Sequence, residues 1–241
     1  MADDSPQRAW QRVLERIERD LLSGRLIPGD RLPSERELAA DLGVGRSSVR
    51  EAFRVLEVMG LIRTATGSGP SSGAIVIATP SGGLATLMRL QVAAQGFPLA
   101  DVVRTRLVLE DAVTASLAAD EHRDISTVFG ILDAMDAEGL SAADFLALDA
   151  RLHLALAEAS GNVVVAAMMA GLRTAIESYV ISGSVQIADW PAMSARLRAE
   201  HRDIVRAIDV GDADAARGLV HDHITGYYRA AGLTPDPTLI D

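Results

Sequence analysis

Apolar residues in the first quarter of the chain recur with the spacing of helices. They repeat every three or four positions over residues 7–23 and again over 47–59, and each run predicts an amphipathic helix. Between these runs, Ser34 followed by Glu37 fits a capping box, which predicts the start of a short helix. Gly60 stands just after the later run, where a left-handed residue commonly ends a helix. The pattern therefore predicts three successive helices.

Two β-prone segments follow these helices, at 61–64 and 74–78, and a stretch rich in Gly, Ser and Pro joins them. Three helices and a two-stranded hairpin, with a short turn between the second and third helices, are typical of a winged helix-turn-helix. We therefore predict such a domain over residues 1–78. Thr, Pro, Ser and two Gly then occur in succession at 79–83, which predicts a linker.

The rest of the chain shows no return of strand-like alternation. Its periodicity predicts an all-α bundle of antiparallel helices over residues 84–232, followed by a frayed tail at 233–241. Asn162 is expected to cap one of these helices. The helices are predicted at roughly 84–94, 101–119, 124–137, 142–159, 163–182, 192–209 and 212–230. The predicted fold class is mainly α, a winged helix-turn-helix followed by a helical bundle.

Composition restricts the chemistry of the chain. Hydrophobic residues make up 49% of the sequence, enough for buried cores, which excludes a disordered protein. There is no cysteine, so disulfides, cysteine-ligated zinc and cysteine nucleophiles are excluded and a cytoplasmic location is expected. The first twenty residues do not resemble a signal peptide, and there is no apolar run of about 18 residues, so we expect no membrane partner.

Charge is divided unevenly along the chain. Residues 1–80 carry eleven arginines and eleven acidic residues, whereas residues 81–241 carry twelve arginines and twenty-two acidic residues. The whole net charge of −10 therefore falls in the second part, which we expect to face solvent or a partner subunit rather than DNA. Every basic residue is Arg, whose planar fork suits phosphates, carboxylates and guanine edges.

The start of the third predicted helix carries the residues expected to read DNA. In a helix-turn-helix this end of the second helix of the motif enters the major groove. Arg46, Ser47, Ser48 and Arg50 lie there, and the two arginines, four residues apart, share one helical face. Arg36, in the first turn of the preceding helix, is placed to touch the flanking DNA backbone. The alternative is that these are solvated surface charges.

A second set of residues suggests a metal site in the predicted bundle. Asp149 and His153 are four residues apart in one helix, a spacing that suits two ligands of one ion. Helical phase also directs His153, His201 and His223 inward. Three imidazoles and one carboxylate would bind a borderline divalent ion such as Zn²⁺, Ni²⁺ or Mn²⁺. The alternative is that each is an ordinary surface or core residue.

The N-terminal part resembles the DNA-binding head of GntR-family transcription regulators. The motifs that carry the resemblance are Leu32-Pro33-Ser34-Glu35-Arg36-Glu37-Leu38-Ala39, Leu42-Gly43-Val44-Gly45-Arg46, Val49-Arg50-Glu51-Ala52-Phe53 and Gly60-Leu61-Ile62. The resemblance implies a dimer on a short palindromic operator, with Arg36, Arg46 and Arg50 as DNA contacts. It also implies that the hairpin tip, with Gly67 and Gly69, enters the minor groove. This tip is longer and less charged than the family pattern, so the two glycines could instead serve turn geometry.

The second part resembles the all-helical FCD-type ligand domain of the FadR-like subfamily. The motifs are Arg106-Leu107-Val108-Leu109-Glu110, Asp149-Ala150-Arg151-Leu152-His153, Glu200-His201-Arg202-Asp203-Ile204 and His223-Ile224. In metal-binding members an Asp-x-x-x-His pair and two later histidines ligate the ion, and Asp149, His153, His201 and His223 occupy those positions. Arg106 matches a residue that pairs with a bound carboxylate. Its alternative partner is Glu110, one turn away.

These observations lead to one functional hypothesis and two alternatives. The first is a homodimeric repressor of double-stranded operator DNA, controlled by a small organic or sugar acid that binds at a divalent metal. The second is a metal-dependent enzyme in which the site activates water. The third is a regulator whose metal is structural and which has no organic effector. We expect no enzymatic activity, because no further acid or base near the predicted ligands has motif support.

Overall fold

The computed structural model describes residues 9–65, 73–77 and 80–233. The chain divides into two compact units, Met1–Leu84 and Ala85–Asp241, each with its own hydrophobic core. Gly67, Gly69 and most of the tail that was predicted to fray lie outside the described residues.

The first unit contains the three helices and the hairpin predicted from the sequence. Its elements are α1 (Ala9–Leu22), α2 (Glu35–Leu42), α3 (Arg46–Val58), β1 (Ile62–Ala65) and β2 (Gly73–Val76). The strands are antiparallel, with Ile62 opposite Val76. Both of these side chains are buried in a core with Val13, Leu38 and Phe53 from the three helices.

Local hydrogen bonding explains how α2 and α3 are held at their ends. The predicted capping box is confirmed, because the Ser34 hydroxyl accepts from the Glu37 amide while the Glu37 carboxylate accepts from the Ser34 amide. Gly43 adopts a left-handed φ of 60° at the end of α2, and Gly60 has a φ of 71° after α3. These glycines permit the tight exits that separate α2, α3 and β1.

The second unit is entirely helical in its described residues, which confirms the mainly α fold class. Its helices are α4 (Pro80–Ala93), α5 (Leu99–Ala119), α6 (Ser126–Met135), α7 (Ala142–Ala159), α8 (Val163–Ser184), α9 (Trp190–Asp209) and α10 (Ala213–Ala230). The boundary between the units falls after Leu84, so the first turn of α4 belongs to the first unit. Asn162 caps α8 as predicted, since its side chain accepts from the amides of Val164 and Val165. No helix in the described ranges combines the length and apolarity needed to cross a membrane.

One expectation about the boundary between the units needs correction. The stretch 79–83 was predicted to be a linker, but the chain is helical from Pro80 onward. Proline suits the first position of a helix, because its fixed φ is already helical and its missing amide has no partner there. The two glycines that follow, Gly82 and Gly83, lie in the first turn of α4.

The core of the second unit is mostly apolar but contains a group of buried carboxylates and imidazoles. Helix α5 packs against α10, α7 and α9, and α7 packs against α6 and α8. Among the described residues, its buried carboxylates and imidazoles are Glu110, Asp149, His153, His201 and His223. Because burying such groups is costly unless they are paired, their clustering in one place marks the candidate site.

Candidate functional site

The four side chains predicted to bind a metal meet in the core of the helical unit. Asp149 and His153 extend from α7, His201 from α9 and His223 from α10. Their ligand atoms all lie within 4.8 Å of one another. The residues are between 0% and 9% exposed, so bulk water has little access to them. Helical phase, read from the sequence, gave the correct inward direction for all three histidines.

The distances within this cluster fit a common ion. His201 Nε2 lies 3.0 Å from Asp149 Oδ1 and 3.2 Å from His223 Nε2, and His153 Nε2 lies 3.3 Å from His223 Nε2. Two atoms that each bind one ion at about 2.1 Å are separated by about 3.0 Å at an octahedral angle and about 3.4 Å at a tetrahedral one. These separations therefore suit a shared cation.

Two carboxylates outside the cluster fix the orientation of two of the imidazoles. The Nδ1 of His153 donates to Glu110 Oε2 at 2.9 Å, and the Nδ1 of His223 donates to Glu200 Oε2 at 2.9 Å. A proton on Nδ1 leaves a lone pair on Nε2, directed to the centre of the cluster. Lone pairs that face each other at 3.3 Å repel unless a cation or a proton lies between them. The donor set therefore fits a divalent metal.

Electrostatics favour the deprotonated form of Asp149 and His201, as a metal requires, but the protonated form of His223 in the absence of an ion. Burial would raise the pKa of Asp149, but hydrogen bonds from His201 and His223 hold it well below its usual range. Burial, reinforced by the neighbouring His223, lowers the pKa of His201 to about 4. Burial also opposes charging of His223, but hydrogen bonds to Asp149 and Glu200 raise its pKa. The cluster thus holds an anionic carboxylate and a neutral imidazole ready to coordinate.

Sequence analysis missed the orienting roles of Glu110 and Glu200. Glu110 was considered only as a partner of Arg106, and Glu200 was noted only within a motif. One signal for Glu110 exists in the sequence, since it occupies an inward position between Leu107 and Val113 on the apolar stripe of α5. A carboxylate at such a position needs a buried partner, although the periodicity does not say which one.

Arg106 forms the ion pair that the sequence offered as one alternative, and it also lies beside a cavity, so its contact with a carboxylate effector stays a prediction. Its Nε donates to Glu110 Oε1 at 2.9 Å, so the ion pair within α5 is formed. The same side chain, 12% exposed, lines a cavity with Asp149 and His153. The cavity volume is about 40 Å³. Its remaining walls come from α7 and from one face of α8, which includes Leu172, Arg173, Ile176, Glu177 and Val180.

The predicted DNA-reading residues lie at the start of α3 and on α2. Arg36, Arg46, Ser47 and Arg50 are exposed, and Ser48 is half-buried. Arg50 is paired with a residue that sequence analysis did not consider, because its Nη2 lies 3.1 Å from Glu35 Oε2. This pair joins α2 to α3 on the exposed surface of the motif.

Comparison with known proteins matches both units. Residues 9–70 match the bacterial regulatory proteins of the gntR family, and residues 101–226 match the FCD domain. The HTH-type transcriptional regulator LutR of Bacillus subtilis is 32% identical over 84% of this chain and 92% of its own length. A regulatory protein of Escherichia coli K12, whose name connects it with an L-lactate dehydrogenase operon, is 29% identical over 91% of this chain and 85% of its own.

A solved structure supports the same assignment. The GntR protein of Streptococcus agalactiae aligns with a TM-score of 0.62 and 25% identity, covering 92% of this chain and 98% of that one. These matches are to transcription regulators, so the alternative of a metal-dependent enzyme is not supported. The chain belongs to the GntR family of transcription regulators, with an N-terminal DNA-binding domain and a C-terminal FCD ligand-binding domain.

Proposed function

We propose that this regulator is a homodimeric repressor whose affinity for its operator falls when a small carboxylic acid binds beside a divalent metal in the FCD domain. The proposal rests on one observation, that the effector arginine and two of the proposed metal ligands line the same cavity. Arg106, Asp149 and His153 line the same space, so a cation held by the cluster and a guanidinium face one ligand position. This arrangement favours an organic effector over a purely structural metal.

The proposed metal ligands are Asp149, His153, His201 and His223, and the proposed ion is Zn²⁺, with Ni²⁺ or Mn²⁺ as alternatives. When bound, the ion supplies open coordination positions for oxygen ligands. Arg106 would pair with a carboxylate oxygen of the effector, since a guanidinium binds carboxylates strongly.

The polar wall of the cavity favours an effector with a carboxylate, because Arg106 lies there beside Asp149 and His153 of the proposed metal cluster. The name of the Escherichia coli relative, which refers to L-lactate dehydrogenase, agrees with a short 2-hydroxy acid. We therefore propose L-lactate or a similar acid as the effector.

The proposed DNA contacts are Arg36, Arg46, Ser47, Ser48 and Arg50. Arginines at the start of a recognition helix can bind guanine O6 and N7 or clamp a phosphate. Two heads related by a two-fold axis would bind half-sites about one helical turn apart. Effector binding that changes the distance between heads would then release the operator. Gly67 and Gly69 remain proposed minor-groove contacts of the hairpin tip.

The test combines metal analysis with DNA binding. The purified protein is analysed for bound Zn²⁺, Ni²⁺ and Mn²⁺, and its binding to DNA from its own upstream region is titrated with L-lactate, glycolate, acetate and gluconate. About one ion per chain, and DNA release by a short 2-hydroxy acid, is the expected result. Release by none of the acids, with metal present, would support the structural-metal alternative. Tighter DNA binding in the presence of acid would overturn the proposed release of the operator by the effector.

A further inference from the structure

One carboxylate contacts both halves of the proposed site. Glu110 is fully buried on α5, and its two oxygens bind different partners. Its Oε1 accepts from Arg106 Nε at 2.9 Å, while its Oε2 accepts from His153 Nδ1 at 2.9 Å. Arg106 faces the effector cavity, and His153 is a proposed metal ligand. A continuous hydrogen-bonded chain therefore runs from the effector arginine to the metal cluster.

We infer that Glu110 is a positioning residue that couples effector binding to metal binding through this chain of hydrogen bonds. The inference rests on the proposed function, because it takes the cluster as a metal site and Arg106 as an effector contact. A carboxylate held at both oxygens cannot move at one end without loosening the other. Metal binding fixes His153, which fixes Glu110 and hence the guanidinium that the acid must meet.

The coupling has a definite sign. An acid that pairs with Arg106 fixes the guanidinium, which fixes Glu110 and so holds His153 in the orientation that a metal ligand needs. The acid therefore tightens metal binding, and by linkage the metal tightens acid binding by the same factor. Part of the factor by which the acid and the metal strengthen each other's binding therefore depends on Glu110. Any direct contact between the acid and the ion adds to it.

Glu200 provides a matched control for Glu110. It supports His223 at the same 2.9 Å distance, but its other oxygen binds Arg196 on the exposed surface of α9 rather than a residue of the cavity. Arg196 is not among the residues that line the cavity in the described part of the chain. Loss of Glu200 therefore affects the metal site alone, whereas loss of Glu110 affects both sites.

The first arm of the experiment uses Zn²⁺ without any organic ligand, measured by competition with a chelating dye. Glu110→Gln and Glu200→Gln are each expected to weaken Zn²⁺ binding by about 10- to 100-fold. Arg106→Met removes a side chain whose hydrogen bond is to Glu110, and it is expected to weaken zinc binding by about fivefold, because Glu110 loses its second anchor. Arg104→Met, an exposed arginine on the same helix, should stay within about twofold. Equal zinc affinities in Arg106→Met and Arg104→Met would overturn the coupling.

The second arm measures L-lactate binding by calorimetry at saturating Zn²⁺. Glu200→Gln is expected to bind L-lactate within about twofold of the unmodified chain, whereas Glu110→Gln should bind about fivefold more weakly or worse. Equal lactate affinities in the two variants would show that Glu110 only orients His153. If the unmodified chain binds no L-lactate, the proposed effector class fails, while the zinc arm still decides the role of Glu110. Thermal melts of each variant verify folding.

Discussion

Metal binding should raise the thermal stability of the helical unit by an amount that the site geometry allows us to work out. The four proposed ligands come from α7, α9 and α10 and meet only in the folded unit, so the ion binds the native state and not the unfolded chain. At a Zn²⁺ concentration 100 times its Kd, this adds about 2.7 kcal/mol to the free energy of unfolding. For a unit of this size, about 2–4 °C per kcal/mol converts the gain into a Tm increase of about 5–11 °C.

The assay is a pair of thermal melts followed by circular dichroism, one with Zn²⁺ and one with EDTA. His223→Ala removes one of the four ligands and should lose most of the zinc-dependent increase in Tm. His221→Ala, two residues away on α10 and outside the cluster, should keep it. The comparison uses the difference between the two melts, so a general loss of stability in either variant cancels. An equal increase in Tm for both variants would refute the proposed ligand set.

Three further changes test other parts of the molecule. Arg50→Ala should remove about 1–3 kcal/mol of discrimination between operator and unrelated DNA, measured by competition binding, and an unchanged ratio would show that it reads no base. Arg106→Met should abolish the response to acid while leaving operator affinity without acid intact, and an unaltered dose response would confine this residue to its pair with Glu110. Ser34→Ala should destabilise the first unit by about 1 kcal/mol in urea unfolding, because α2 loses its capping box, and an unchanged midpoint would contradict that estimate.

Most of the fold could be predicted from the helical periodicity of apolar residues and from the signals at helix ends. The capping residues Ser34 and Asn162 and the glycine at position 60 are local features, and local features are readable from a sequence because they depend on a few neighbouring residues. The start of α4 was misplaced, since a run of Pro, Ser and Gly favours a turn by composition. Pro80 at the first helical position is compatible with either outcome.

The four proposed metal ligands could be predicted from residue type and from their positions on the inner faces of helices. Four potential ligands could be placed on inner helix faces, which is a one-dimensional property of each helix. The contacts of Glu110 with His153, and of Glu200 with His223, join residues 43 and 23 positions apart. No periodicity encodes which side chains face each other across a core. The pair between Arg50 and Glu35 escaped prediction for the same reason.

The walls of the proposed effector cavity differ in how freely they can change. Arg106, Asp149 and His153 form the polar side and are tied into hydrogen bonds or ion pairs with the buried cluster. On the α8 side, Leu172 and Ile176 contribute apolar surface outside this network. Substitutions there are expected to reshape the pocket for longer or bulkier acids while leaving the proposed contact between Arg106 and a carboxylate in place. This helix is therefore the natural place to diversify the chain into biosensors with new inducers.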